Sequence, residues 1–97
     1  MANITFHPEA QDEYERAHAW YQARSPRAAA RFEAEVQRLL GLVQLNPESF
    51  PAYDDEHRFV VLRRFAYLLI YQVHPDRIFV VAVAQAGQRP GYWQGRS

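Results

Sequence analysis

Hydrophobic and polar positions follow two different rhythms along the chain. Between Pro8 and Val43 apolar residues recur at helical spacing, first as Ala10, Tyr14, Ala17 and Tyr21, then as Phe32, Val36, Leu39 and Val43. Between Arg58 and Ala84 they come as three dense runs of Val, Ile, Leu, Phe and Tyr, broken at Arg63-Arg64 and at His74-Pro75-Asp76-Arg77. β-Branched and aromatic residues in short runs between turn signals predict strands of an antiparallel meander. The last run, Ile78 to Ala84, is apolar at both parities, and Tyr67 to Val73 is nearly so. These are expected to be interior strands, with one face covered by the chain itself and the other by a neighbour or a partner. The first run, Arg58 to Arg64, alternates less cleanly and has charged ends, the mark of an edge strand.

Punctuation between the runs sets the element boundaries. Ile4-Thr5-Phe6 is a short strand closed by His7-Pro8. Pro8 suits the first helical position, where its missing N–H would be unpaired anyway. Glu9, Asp12 and Glu13 place negative charge in the first turn of that helix, and Arg24 lies in its last turn. Ser25 and Pro26 form an N-cap and first residue for the second helix, which Asn46-Pro47 stops. So short a join predicts an antiparallel helical hairpin. Asn46 to His57 reads as loop, and residues 85–97 as an irregular glycine-rich tail. The order β-α-α-β-β-β predicts one α+β domain over residues 1–97, a helical hairpin laid on a small, mostly antiparallel sheet.

Composition removes whole classes of chemistry. The 97 residues contain no cysteine, which excludes disulfides, thiolate metal sites and a cysteine nucleophile. All 11 basic residues are arginine, so no lysine is available as a base or Schiff-base nucleophile. His7, His18, His57 and His74 show no metal-ligand spacing, and neither metal nor cofactor is expected. No apolar run approaches the roughly 18 residues of a membrane helix, and no signal segment is visible, so a cytoplasmic location without membrane association is expected. Formal net charge is +0, which argues against a surface built wholly for polyanions.

The order of elements, the stretch Arg64-Phe65-Ala66-Tyr67 leading into Ile70-Tyr71-Gln72-Val73, and the close Ala82-Val83-Ala84 followed by Arg89-Pro90-Gly91-Tyr92-Trp93 resemble the RelE/ParE superfamily. These are toxins of type II toxin–antitoxin modules, often labelled plasmid stabilisation proteins. The resemblance runs from Phe6-His7-Pro8-Glu9-Ala10 to the Tyr-Trp pair. Two departures stand out: Ala66 replaces a proline common in relatives, and Gln85 stands where a histidine usually follows the last strand. A glutamine cannot exchange a proton near neutral pH.

A nuclease of the RelE type needs a base, a charge clamp for the phosphorane and an acid for the leaving oxygen. The residues available for those roles are Arg58, Arg63 and Arg64 as clamps, His57 or Glu56 as base, and Tyr92 as acid or stacking platform. Each also has a plain structural reading. Arg63 and Arg64 suit a solvated edge, Arg58 suits an ion pair with Asp54, Asp55 or Glu56, and Tyr92 with Trp93 suits a latch on the sheet.

With no lysine and with Gln85 in place of the histidine usual after the last strand, the resemblance points to the ParE-like branch. The resemblance there implies growth inhibition by binding DNA gyrase, with a ribosome-dependent mRNA endoribonuclease and a non-toxic, partner-binding member as alternatives. Arg63, Arg64, Gln85, Arg89, Tyr92 and Trp93 are the expected target-binding residues. Trp20, Leu40, Leu42, Phe79 and Val81 are expected to meet the antitoxin, the protein partner that the resemblance implies, as a homodimer or a heterotetramer with it.

Overall fold

The structure, a computed structural model, describes residues 3–97. Strand β1 (Asn3–Phe6) is followed by helices α1 (Pro8–Arg24) and α2 (Pro26–Leu45) and strands β2 (Arg58–Val61), β3 (Tyr67–Val73) and β4 (Arg77–Gln85). Both helices are packed on a mixed sheet of order β1-β4-β3-β2, in which β1 runs parallel to β4 and the other pairs are antiparallel. The two interior strands are thus the two runs without a polar face, and the charged-ended run lies at an edge.

Local chemistry fixes the helix ends. The His7 side chain caps α1 by accepting the Glu9 N–H at Nδ1 (3.0 Å). Ser25 serves both helices: its backbone N–H closes α1 on Tyr21 O, while its hydroxyl accepts the Ala28 N–H of α2. Between two prolines suited to a first turn and a cap shared by two helices, there is no room for any connection except a tight hairpin.

The apolar stripes meet the sheet as their spacing requires. Ala10, Ala17, Phe32, Val36, Leu39 and Val43 bury against Val60, Leu69, Tyr71, Ile78, Val80 and Val83. A β-bulge between Ile70 and Tyr71 of β3 and their β4 partners leaves Val81 as the extra residue. It switches parity within one strand: Ile78 and Val80 face the helices before it, Val83 after it, while Phe79, Val81 and Ala82 face the other way.

That other face has its own small core of Ile70, Phe79, Val81, Ala82 and Trp93. The sequence left it for a neighbour or a partner; the chain's own tail covers it instead. Trp93 is only 2% exposed, and Tyr92 and Phe59 pack at its margin. Gly91 allows this return, because its φ of 77° is a left-handed conformation that side-chain-bearing residues rarely adopt.

The first apolar run also ends sooner than its composition suggests. Strand pairing stops at Val61, Leu62 turns into the core, and Arg64 adopts a left-handed φ of 66°. The two adjacent arginines lie in this turn, where the Arg63 backbone N–H donates to the Glu35 carboxylate of α2 (2.7 Å).

Candidate functional site

The C-terminal tail is tied down at two ends of the sheet. At one, the Glu13 carboxylate of α1 accepts four hydrogen bonds: from Val83 N (3.0 Å), from the Tyr92 hydroxyl (2.7 Å), and from Arg96 Nη1 (3.0 Å) and Nη2 (3.1 Å). Arg96 also donates to Val81 O (3.0 Å). The cause lies in strand length. β1 is too short to pair with β4 beyond Val80, so the backbone edge from Val81 onward would be bare, and a carboxylate and a guanidinium complete it. Burial first, and then the hydrogen bond to Glu13, push the Tyr92 phenol well above its usual range.

At the other end the loop before β2 forms a seat for Trp93. Asp54 Oδ1 accepts the backbone N–H groups of Glu56 and His57 (both 2.8 Å) and the His57 Nδ1–H (2.8 Å), and Asp54 Oδ2 accepts from Gln94 (3.3 Å). Burial alone would raise the Asp54 carboxyl, but these donors together hold it below its usual value. His57 Nε2 accepts from the Gln72 amide (3.1 Å), whose oxygen accepts from His74 Nε2 (3.0 Å). The His57 and Tyr53 rings meet the Trp93 ring at centroid distances of 4.6 and 4.8 Å.

These partners decide what the candidate nuclease residues can reach. His57 is buried with both ring nitrogens engaged, and the Tyr92 hydroxyl is spent on Glu13. Arg58 makes none of the expected ion pairs with the acidic loop; it donates to Phe50 O (2.7 Å), a carbonyl that the proline-rich loop leaves unpaired. Arg63 and Arg64 lie at the β2–β3 turn beside α2. Glu56 is exposed, and its backbone N–H is the one group it contributes to the loop network. Among the described residues, no hydrogen bond or ion pair joins any two of Arg58, Arg63, Arg64, His57, Glu56 and Tyr92 by their side chains.

Among the described residues a hollow of about 430 Å3 lies at the loop Asp54, Asp55, Glu56 and His57 beside Gln94, and three others bear on the expected binding residues. One, about 520 Å3, runs between α1 and the end of β4 and brings Trp20 together with Gln85, bordered by Glu13, Arg16, Tyr67 and Gln88. Trp20 is 48% exposed, with the Arg24 guanidinium 3.5 Å from its ring centre. A smaller hollow of about 170 Å3 holds Gln85, Arg89, Tyr92 and one side of Trp93. The last, about 540 Å3, lies between α2 and the turn carrying Arg63 and Arg64.

Several residues expected at a partner surface are placed inside. Leu40 is buried in the main core, and Phe79, Val81 and Trp93 lie in the second one, because the tail returns over the face that the sequence left open. Leu42 remains exposed. Sequence reasoning missed Glu13 and Arg96 as a clamp; they are 83 positions apart, and no local pattern relates them. It also missed Arg31 and Arg38 beside Arg63 and Arg64, although Arg27, Arg31 and Arg38 share one polar side of α2 and could have been read as a stripe.

Comparison with known proteins agrees with this architecture. The structure resembles that of the chromosomal ParDE toxin–antitoxin system from P. aeruginosa, with a TM-score of 0.74 over 89% of this chain and 97% of that one, at 13% sequence identity. At that identity the likeness concerns the fold. No curated protein sequence matches the chain. A family model described as the ParE toxin of type II toxin–antitoxin system, parDE, matches residues 4–90, which takes in every element of the fold and the start of the tail. The chain therefore belongs to the family of ParE toxins of type II toxin–antitoxin systems.

Proposed function

We propose that this toxin acts in the cytoplasm by binding a macromolecular target, DNA gyrase, and that a cognate antitoxin neutralises it. One observation speaks against RNA cleavage: of the candidate proton-transfer groups, His57 and Tyr92 are committed to structure, and the exposed Glu56 side chain is joined by no hydrogen bond or ion pair to the candidate arginines or to Tyr92 among the described residues. His57 is buried between Asp54 and Gln72, the Tyr92 hydroxyl is held by Glu13, and Gln85 stands where a titrating side chain would be needed. Phosphodiester cleavage requires a base and an acid on opposite sides of one phosphate. No such pair converges here, and the arginines that would clamp the phosphate are apart as well. Arg58 is turned onto Phe50 O, whereas Arg63 and Arg64 border the α2 hollow.

What the surface does offer is contact area. Arg63, Arg64, Gln85 and Arg89 are exposed and accessible to a target, with Tyr92 half-buried beside Gln85 and Arg89. Trp20 and Leu42 remain as exposed apolar positions for the antitoxin. Single alanine variants of Arg58, Arg63 and Arg64, with His57→Ala and Tyr92→Phe, test the reading in an induced bacterial host. Binding predicts that Tyr92→Phe inhibits growth as well as the parent when matched for folded protein, and that Arg63 and Arg64 variants are weakened. A nuclease would instead lose mRNA cleavage in a translating extract on Tyr92→Phe or His57→Ala while remaining folded.

A further inference from the structure

Four side chains, Asp54, His57, Gln72 and His74, form a hydrogen-bonded line from the loop before β2 to the β3–β4 turn, and one end of the line fixes where its hydrogens lie. The Asp54 carboxylate accepts the backbone N–H groups of Glu56 and His57 (both 2.8 Å). An acceptor there requires that the His57 nitrogen beside it, Nδ1 at 2.8 Å, carry a hydrogen. His57 Nε2 is then the bare nitrogen of a neutral ring, and it faces the Gln72 amide nitrogen (3.1 Å). That orients the amide. Its oxygen points the other way and accepts from His74 Nε2 (3.0 Å).

A proton added at one end of this line acts differently from a proton added at the other. On His74 it goes to Nδ1, which is not the nitrogen bonded to Gln72, and every bond in the line survives. On His57 it goes to Nε2, where an N–H would meet an N–H, so the Gln72 amide has to turn over. The amide nitrogen then faces His74 Nε2, and His74 fits only as a neutral ring with its hydrogen on Nδ1. One amide cannot offer its oxygen to both rings. We infer that Gln72 makes His57 and His74 alternative sites for a single proton, a switch by which His74 at the hairpin turn sets whether a neutral ring or a cation lies against Trp93 in the seat of the tail.

The two rings differ in access. His57 is 7% exposed and its ring meets Trp93 at 4.6 Å and 61°, whereas His74 is half-buried at the turn. Around His57 the loop brings the charges of Asp54, Asp55 and Glu56 and the phenol of Tyr53, the tail brings the uncharged Gln94, and Arg58 of β2 is turned away onto Phe50 O. Around His74 lie Asp76 and Arg77, themselves paired at 3.9 Å. His7 lies across the Phe79 ring, with its Nδ1 accepting the Glu9 N–H. These charges bias one ring or the other. Gln72 is the side chain hydrogen-bonded to both, and so the one placed to couple them.

Nitrogen NMR of the full chain labelled at its histidine rings, followed from roughly pH 8 to pH 5, reads the tautomer and charge of each ring. In a Trp20→Phe background, Trp93 emission gives a second readout, because an imidazolium beside an indole quenches it. The parent should hold His57 as the Nδ1–H tautomer while His74 takes up its proton. His74→Ala should raise the proton affinity of His57 at least about tenfold, one pH unit, and move the Trp93 quenching by the same amount. The fold is retained in that variant, since the His74 backbone N–H still donates to Arg77 O (2.8 Å). In a Gln72→Met background the same His74→Ala change should alter His57 less than about twofold, which separates coupling through the amide from repulsion through space. Gln72→Glu is the second variant: it offers an oxygen to each ring, so both imidazolium forms should coexist. A His57 found as the Nε2–H tautomer overturns the proposal, as does an effect of His74→Ala below about twofold in the parent. So does a tenfold effect that persists in Gln72→Met, or exclusion that persists in Gln72→Glu.

Discussion

Replacing Glu13 with alanine removes the acceptor at which α1, the edge of β4 and the C-terminal tail meet. Two donors are then stranded, the Val83 N–H and the Tyr92 hydroxyl, and the Arg96 guanidinium keeps only Val81 O (3.0 Å) and the exposed Glu9 carboxylate (3.6 Å). The Glu13 and Arg96 side chains are only 10% and 12% exposed, so solvent screens the pair weakly. Breaking a buried ion pair by deleting one partner costs about 3–5 kcal/mol, and partial access to water at this rim favours the lower end, roughly 3 kcal/mol. For a domain of about 100 residues, each kcal/mol moves Tm by about 4–8 °C, so Glu13→Ala should lower Tm by roughly 12–24 °C. Glu13→Gln keeps one oxygen acceptor without the charge and should lose about half as much.

The assay also has a local readout, because the two tryptophans differ. Trp93 is 2% exposed and Trp20 48%. In a Trp20→Phe background all indole emission reports on the tail, and Glu13→Ala should move it to longer wavelength and open it to iodide quenching before the far-ultraviolet circular dichroism melts. A double-mutant cycle with Arg96→Ala should show positive coupling, since the second change removes a charge that the first left with only the exposed Glu9 carboxylate at 3.6 Å. A Glu13→Ala protein that melts within about 2 °C of the parent, with unshifted Trp93 emission, would refute the assignment of this carboxylate as the tail's anchor.

Trp93→Ala should destabilise the domain by about 3–5 kcal/mol, because it empties the second core between the sheet and the loop, and thermal melting checks it. His57→Ala should cost about 1–3 kcal/mol by leaving Asp54 and the Gln72 amide unpaired, yet leave growth inhibition per folded molecule unchanged; a comparison of melting with induced growth curves separates the two. Stability should also decline at alkaline pH. Burial raises the Tyr71 phenol from 10.0 to about 12, so its contribution is full below pH 10 and is lost as pH rises to about 12, on the order of 2 kcal/mol in denaturant titrations. Tyr71→Phe should flatten that decline while losing the hydrogen bond to Pro47 O (2.6 Å).

Much of this fold could be read from the chain because local signals agree with one another. Ser25-Pro26, the two apolar stripes and the fully apolar Ile78–Ala84 run each determine an element and the face it buries. The tail was harder. Nothing in the spacing of Tyr92 and Trp93 distinguishes a ring that stacks on a partner from one that folds back on its own sheet; the decision is made by Glu13 and by the Asp54–His57 seat, both far away in sequence. The bulge at Val81 is equally silent, since an apolar run at both parities fits either register. Arg58 shows the same limit in miniature: three neighbouring acids suggested a pair, and a loop carbonyl eight positions back took the guanidinium instead.

The central claim, action by binding without proton-transfer catalysis, is tested most directly by adding the purified chain in parallel to a gyrase supercoiling reaction and to a translating ribosome extract read by primer extension. The account predicts that supercoiling is blocked in proportion to added protein while the mRNA stays intact. Codon-positioned mRNA cuts that vanish with Tyr92→Phe or His57→Ala, with supercoiling untouched, would contradict it.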